Sequence, residues 1–355
     1  MRAFEWSLDQ PGAFDADFSR LRSVMNFDLH GRSILLTGGT GFFGLWLIEL
    51  VDLLRRVEGM DITVHALSRN PAAAVVQRPV YRDRPWLHFI AGDVRSFAAP
   101  AGRIDYVIHG AADTSAAAGA HAIELFDVIT GGTRHVLNMA NDLACRRVLL
   151  LSSGAVYGAA STVDKMPETL TTAPDPLALS SAYGEGKRVC EALGAYMSQQ
   201  ASFDVVTARC FAFVGAGLPL SGHFAIGNFI RDAIHGNDMR LNSTGQSRRS
   251  YLYAADLAIW LVTLLLKGRT GVAYNVGSDQ GIDILSTAGL VRDTLAPGRS
   301  VTVAEGASTS ASFYVPEIGR ARSEFGLDAW TPLEVAVRRT AEDARRFGLH
   351  GGDFK

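Results

Sequence analysis

Tyr183 and Lys187 stand one helical turn apart in YGEGK. On a helix both side chains leave the same face. An ammonium beside a phenol favours the phenolate, so the spacing predicts a Tyr183 pKa lowered toward working pH. Such a phenol exchanges a proton with a sugar hydroxyl while a hydride passes to a nicotinamide. The same spacing by itself also describes an ordinary surface pair. Upstream, LLLSSGAVYG reads as a strand that ends in two hydroxyls. The ends of parallel strands face the ligand crevice, which puts Ser153 in position to bond a reacting oxygen. A serine that merely caps a turn is the alternative.

A second constellation serves a dinucleotide. TGGTGFFG follows the apolar run Ile34-Leu35-Leu36 and opens an apolar helix. A helix start offers unpaired N–H groups and a positive dipole end to a pyrophosphate. In this reading Gly38 permits the tight turn, Gly41 admits the phosphates and Gly44 lets the helix pack on the strand, while Thr40, Phe42 and Phe43 complete the loop. The next strand ends Ala66-Leu67-Ser68-Arg69-Asn70, without the acid that would bind an NAD ribose. Ser68 and Arg69 suit a 2′-phosphate, which tips the expectation from NAD toward NADP, although Arg69 also reads as a solvated loop residue. Asp93 and Val94 end a further strand near the expected adenine, and Ala111 and Ala112 lie under the cofactor in the same scheme. Thr114 and Ser115 follow as candidates for a sugar hydroxyl or as a plain polar loop. His223 and Asn228, in SGHFAIGNF, are candidates for sugar or phosphate oxygens, with an ordinary loop histidine as the alternative. The nine histidines show no HxxxH, so no metal site is expected.

The elements that must position these residues are apolar strand-length runs at Ile62 to Leu67, Leu87 to Ile90, Tyr106 to His109, Val148 to Leu151 and Val205 to Arg209, several separated by helical stretches. That alternation predicts an α/β chain with a Rossmann-like, doubly wound parallel sheet covered on both faces. The expected division is an N-terminal extension over 1–30, a dinucleotide-binding domain over 31–217 and a smaller mixed substrate-binding lobe over 218–355, with the chain crossing back. Within the extension Phe14, Phe18, Leu21 and Met25 recur at helical spacing. The chain of 355 residues is 48% hydrophobic and 20% charged, with a net charge of -2, which excludes a mostly disordered chain and argues against nucleic-acid binding through bulk charge. Cys145, Cys190 and Cys210 form no CxxC and suit a reducing compartment. The run LAIWLVTLLL is too short to span a bilayer and reads as a buried helix, and no export signal is evident. The expectation is a soluble cytoplasmic protein.

Together these blocks resemble the extended short-chain dehydrogenase/reductases that act on nucleotide sugars, the NAD-dependent epimerase/dehydratase family, over about Ser33 to Arg346. TGGTGFFG matches the family's TGxxGxxG, YGEGK its YxxxK and SSGAVYG its SSxxVYG, which assigns the catalytic hydroxyl to Ser153. RCFAFVG resembles the segment entering the substrate lobe. RSYLYAAD resembles the family's arginine segment, so Arg249 inherits a place on the nucleotide diphosphate. AYNVG resembles the strand that follows. The departures are informative. Sugar 4,6-dehydratases carry Asp and Glu where this chain has Gly154 and Ala155, and sugar-acid decarboxylases carry Glu where Ala155 stands, so both reactions are disfavoured. Ile129 and Ala212 stand where the family usually or often has Asn. The resemblance implies an epimerase acting at C4 of a nucleoside-diphosphate hexose through Tyr183, Lys187 and Ser153, with Tyr183 and Lys187 also counted among the cofactor-binding residues and Lys187 gripping the nicotinamide ribose. The alternative is an NADPH-dependent reductase of a 4-keto-6-deoxy sugar nucleotide. A nucleotide-sensing protein without catalysis is a third reading, opposed by the intact set of three residues. Family members commonly form homodimers through the helix carrying the Tyr and Lys.

Overall fold

The computed structural model describes residues 14–24, 27–112, 121–158, 164–222 and 224–347. Thr114, Ser115, His223 and Met25 lie outside them. After a 3-10 turn at Asp15–Phe18 come α1 (Leu21–Val24), β1 (Arg32–Thr37), α2 (Phe42–Val57), β2 (Ile62–Ser68), α3 (Pro71–Gln77), β3 (Leu87–Ala91), β4 (Tyr106–His109), α4 (Ala122–Asp142), β5 (Arg147–Ser153), α5 (Ala182–Gln200) and β6 (Asp204–Cys210). There follow β7 (Phe213–Val214), α6 (Ala225–Ile234), β8 (Met239–Ser243), β9 (Arg248–Arg249), β10 (Leu252–Tyr253), α7 (Ala254–Lys267), β11 (Ala273–Val276), β12 (Ile282–Asp283), α8 (Ile284–Leu295), β13 (Val301–Ser308), β14 (Phe313–Tyr314), α9 (Gly319–Phe325) and α10 (Leu333–Phe347).

Seven strands form one sheet in the order β11-β6-β5-β4-β1-β2-β3, and every pairing in it is parallel. Its strands are apolar on both sides because both sides are covered. Ile34 and Leu36 of β1 join one core cluster while Leu35 between them joins the other. That is the arrangement a near-continuous apolar strand requires. The run LAIWLVTLLL forms α7, whose residues from Ala254 to Leu265 are all buried, and α7 packs against α2. Among the described residues no helix is long and apolar enough to cross a membrane.

The chain leaves the sheet after β6, builds α6 and β8–β10, and returns through α7 to add β11 beside β6. It then leaves again for β12, α8, β13 and β14. The segment before β1 packs on the body: the rings of Phe14 and Phe18 lie 4.6 and 6.0 Å from that of Trp46. Asp17 accepts a hydrogen bond from the Tyr253 hydroxyl at 3.0 Å and pairs with Arg339.

Candidate active site

The winding direction of the sheet reverses between β1 and β4, the point where a doubly wound sheet forms its ligand crevice beyond the carboxyl ends of the strands. The glycine turn lies at that point. Gly38 has φ +73°, a left-handed conformation that glycine adopts without strain, and a Cβ there would meet the Gly110 backbone at 3.1 Å. Gly41 caps α2 with no side-chain hydrogen bond, is exposed, and would carry a Cβ into open space except for Gly38 O at 3.4 Å. This uncapped helix start beside an open glycine is a fit for a pyrophosphate. Gly44 is close-packed on the turn itself: a Cβ would fall 2.2 Å from Gly39 O. The glycine pressed against a strand is Gly39, whose Cβ would meet Ala66 Cβ of β2 at 2.7 Å. The sequence reading had assigned that contact to Gly44. Phe42 and Phe43 are half-buried, and Phe43 packs edge-on against Phe213 at 5.3 Å.

At the end of β2 the Thr40 and Ser68 hydroxyls lie 2.9 Å apart, and Arg69 beside them is exposed. The Asp93 carboxylate accepts from the Arg95 backbone N–H at 2.8 Å and from its guanidinium. These bonds hold its pKa down at about 2. Val94 is buried against Gly132 of α4, where a Cβ would meet Val94 Cγ1 at 2.7 Å. Ala111 N–H reaches Thr37 Oγ1 at 3.2 Å, and Ala112 packs with Leu125, Ile129, Cys190 and Tyr183.

Behind the crevice runs a buried polar line that the sequence reading did not single out. Thr37 Oγ1 is 2.8 Å from His109 Nδ1, and His109 Nε2 is 3.0 Å from Thr133 Oγ1, which donates to Ile129 O at 2.8 Å. Burial drives the His109 pKa down to about 3, so the imidazole is neutral and couples β1, β4 and α4 through hydrogen bonds alone. Ile129 itself is buried and lies beneath Gly186 of α5.

The two serines at the end of β5 point to opposite sides, as strand geometry demands. Ser152 Oγ donates to Glu191 Oε1 of α5 at 2.6 Å, and Arg209 holds the same carboxylate through Nε and Nη2. Ser153 Oγ accepts from Ala155 N–H at 3.1 Å and lies 3.3 Å from the Tyr314 hydroxyl. It also lies near enough to the Tyr183 hydroxyl to favour the phenolate there. Ser152 therefore ties the strand to the helix, and Ser153 faces the phenols.

Tyr183 and Lys187 both lie on α5, with Lys187 Nζ 5.9 Å from the Tyr183 ring centre. The ammonium is buried and donates to Leu151 O at 2.7 Å. Burial pushes the Tyr183 pKa up to about 12, with only the Ser153 hydrogen bond pulling it back. The expected lowering by Lys187 is thus overturned: Lys187 is spent on a β5 carbonyl, and desolvation of the phenol dominates. Burial lowers the Lys187 pKa as well.

Arg249 Nη1 donates to the carbonyls of Arg248 and Ser312, and Nη2 to Ser312 Oγ at 2.9 Å. Its guanidinium lies 5.9 Å over the Tyr314 ring, which links it to the same cluster as Ser153. Asn228, on α6, is occupied by Gly222 O at 2.9 Å and by Arg231, and none of its hydrogen bonds joins it to Ser153 or Tyr183. Asn275 serves the backbone, donating to the Met166 and Glu317 carbonyls. Tyr314 is the member of the site with no signal in its local sequence. Among the described residues no three His, Cys, Asp or Glu side chains cluster as metal ligands.

The profile of the NAD dependent epimerase/dehydratase family matches residues 34–277. UDP-glucuronic acid decarboxylase 6 of Arabidopsis thaliana is 26% identical over 341 residues, which cover 93% of this chain and 94% of that protein. The structure of UDP-glucose 4-epimerase from Thermotoga maritima with UDP-glucose is similar at a TM-score of 0.73 and 18% identity, covering 88% of this chain and 99% of that one. That of dTDP-glucose 4,6-dehydratase from Bacillus anthracis in complex with NAD is similar at a TM-score of 0.72 and 17% identity, covering 89% of this chain and 97% of that one. At these identities the structural likeness shows the doubly wound fold.

Proposed function

The chain belongs to the NAD dependent epimerase/dehydratase family, and from that premise we propose that it inverts C4 of a nucleoside-diphosphate hexose by transient oxidation. A nicotinamide bound there would supply the acceptor and later the donor of the C4 hydride. The observation that carries this reading is the grouping of Tyr183 and Ser153 at the crevice, with Lys187 behind them and no ionisable side chain at 154 or 155.

Tyr183 Oη exchanges the 4-hydroxyl proton only as the phenolate, a form that burial disfavours and that the positive charge of a bound nicotinamide would favour, while Ser153 Oγ bonds the same oxygen. Lys187 holds the end of β5 against α5 through Leu151 O and keeps a positive charge under the phenol. Arg249, held by Ser312, meets the diphosphate. Gly38, Thr40, Gly41, Phe42, Phe43 and Gly44 would hold the dinucleotide, with Asp93, Val94, Ala111 and Ala112 as its further contacts. Elimination of water across C5 and C6 needs an acid and a base that Gly154 and Ala155 cannot provide, and the decarboxylase reaction likewise lacks its Glu at 155. The similar proteins include a structure with UDP-glucose and one with NAD, which supports a nucleotide sugar and a nicotinamide cofactor here.

A second reading, an NADPH-dependent reductase of a 4-keto-6-deoxy sugar nucleotide, is favoured by one feature. The end of β2 itself carries Ser68, bonded to the Thr40 hydroxyl of the glycine turn, and Arg69, a composition suited to a 2′-phosphate, while the Asp93 carboxylate after β3 lies within electrostatic reach of Arg69. A homodimer would bury the apolar side chains that α4 and α5 now expose, Ile123 at 86% and Tyr196 at 63%. The test is a screen of UDP-, dTDP-, CDP- and GDP-hexoses with product stereochemistry read by NMR, and identification of the cofactor released on denaturation. C4 epimers with cofactor unconsumed support the epimerase. Stoichiometric loss of NADPH with a 4-keto sugar replaces it by the reductase.

A further inference from the structure

The sheet face behind Ser152 is incompletely filled. α5 packs tightly on it at Gly194, where a Cβ would fall 2.5 Å from Leu150 Cδ1 and 3.1 Å from Val205 Cγ1. Beyond β6 the sheet ends at its edge strand, β11. Ala192 and Ala195 of α5, Thr207 of β6 and its register partner Ala273 of β11 are short side chains, and together they line a cavity of about 340 Å³ that is open to solvent on one side. That volume lies within the range of small-molecule sites. Glu191 and Arg209 also line it but are bonded to each other, and Arg209 gives its further donors to the Tyr157 hydroxyl and to Glu168 O. Arg188, on the same stripe of α5, is held loosely. Its Nη1 lies 3.4 Å from Val156 O and its Nε 3.6 Å from the Glu185 carboxylate, and its side chain is 42% exposed. Thr207 is only 8% exposed, yet its hydroxyl has no hydrogen-bond partner among the described residues. A hydroxyl withdrawn from bulk water and left unbonded costs free energy that a ligand oxygen recovers.

We propose that this cavity is a binding site for a compact organic anion, separate from the crevice: Arg188 takes the anionic head, the Thr207 hydroxyl donates to one of its oxygens, and Ala192, Ala195 and Ala273 receive an apolar body. The sign of the ligand follows from the pairing. The carboxylate in the lining, Glu191, is already neutralised by Arg209, whereas the partly exposed pair of Arg188 with Glu185 is long and worth little. The site does not depend on the reaction proposed above. Successive side chains of β5 point to opposite faces, so Ser152 belongs to the cavity side through Glu191 and Ser153 to the other, and a molecule held in the cavity does not reach the reacting atoms. Its wall is nonetheless the helix that carries the site, since Glu191 follows Lys187 by one turn of α5.

Benzoate is the probe, with benzyl alcohol as a similar body without the charge and inorganic phosphate as a charge without the body. Ligand-observed NMR titrations follow each on the full chain, with and without NADH and UDP. Wild type is expected to bind benzoate with a dissociation constant on the order of 1 mM, and the other two at least about ten-fold more weakly. Arg188→Gln should weaken benzoate about ten-fold or more, the worth of a hydrogen bond to a charged group, and Thr207→Val about three-fold. Ala195→Leu grows a side chain into the cavity and should abolish binding. Arg188 is exposed, so its variant keeps the proposal falsifiable if Ala195→Leu does not fold. Absence of benzoate binding, or equal affinity in wild type and Arg188→Gln, overturns the proposal. Displacement of benzoate by NADH or UDP would place it in the crevice and overturns it too. Benzyl alcohol bound as tightly as benzoate overturns the choice of an anion.

Discussion

Ser153→Ala set beside Ser152→Ala tests whether strand alternation at the end of β5 separates a catalytic hydroxyl from a structural one. Ser153→Ala removes the acceptor of the Ala155 N–H at 3.1 Å, which caps the short helical turn Gly154–Tyr157. Loss of such a cap costs about 1 kcal/mol of stability. It also removes the hydroxyl shared with Tyr183 and Tyr314. In the proposed C4 oxidation that hydroxyl would bond an oxygen that gains negative character, and a hydrogen bond to a charged group is worth roughly 1.5–3 kcal/mol. The turnover number should therefore fall about 10- to 100-fold, with cofactor affinity retained. Ser152→Ala removes one donor from Glu191, which keeps Arg209 Nε and Nη2. That variant should lose about 1 kcal/mol of stability and stay within about three-fold of wild-type turnover. Steady-state kinetics on the substrate found by the screen, with thermal unfolding in parallel, decides the matter. Equal losses of turnover in the two variants, or the larger loss at Ser152, would refute the assignment.

Tyr183→Phe should abolish turnover, by about a thousand-fold or more, while NADH binding followed by fluorescence stays near wild type; retained activity would remove the proton-transfer role. Gly44→Ala should lower cofactor affinity at least about ten-fold, because its Cβ would stand 2.2 Å from the Gly39 carbonyl and the turn must shift; an unchanged titration would show that the cradle tolerates the shift. Asp256 gives a pH dependence. Burial raises its pKa to about 6, above the ordinary aspartate value of 3.8. Between the two values the folded chain binds the additional proton, so stability from this group is full below about pH 4 and is lost as pH rises through 6, by up to about 3 kcal/mol. Asp256→Asn should therefore gain more over wild type at pH 7 than at pH 5 in urea unfolding, and an equal difference at both would contradict the raised pKa.

Much of the site was legible because its parts lie within short stretches of chain. The glycine turn, the strand ending in two serines and the Tyr-Lys helix each declare themselves through local spacing, and the structure forms them as the turn after β1, the end of β5 and α5. The apolar runs at Ile62, Leu87, Tyr106, Val148 and Val205 all became strands of one parallel sheet, each within about two residues of its expected ends. Reading failed where the outcome depended on environment. Lys187 sits one turn from Tyr183 as expected, yet its ammonium turns to Leu151 O, and burial raises the phenol that the pairing was to lower. Spacing specifies which residues are neighbours and is silent on what surrounds them. Asn228 looked available to a ligand and proved to be tied to Gly222 and Arg231.

What this sequence determined by itself is the chain's periodicity and punctuation, which settle a doubly wound sheet and place a glycine turn and a helix-borne phenol on it. These are local properties, since hydrogen-bonding period and backbone freedom act over a few residues. What only the tertiary structure decided is the company each group keeps. Tyr314 reaches Ser153 across 161 residues of chain, and Gly154 is left without a side chain because two rings from other segments already occupy its space. Charge, solvation and volume are properties of the packed whole, and they are what turns a set of hydroxyls into a site.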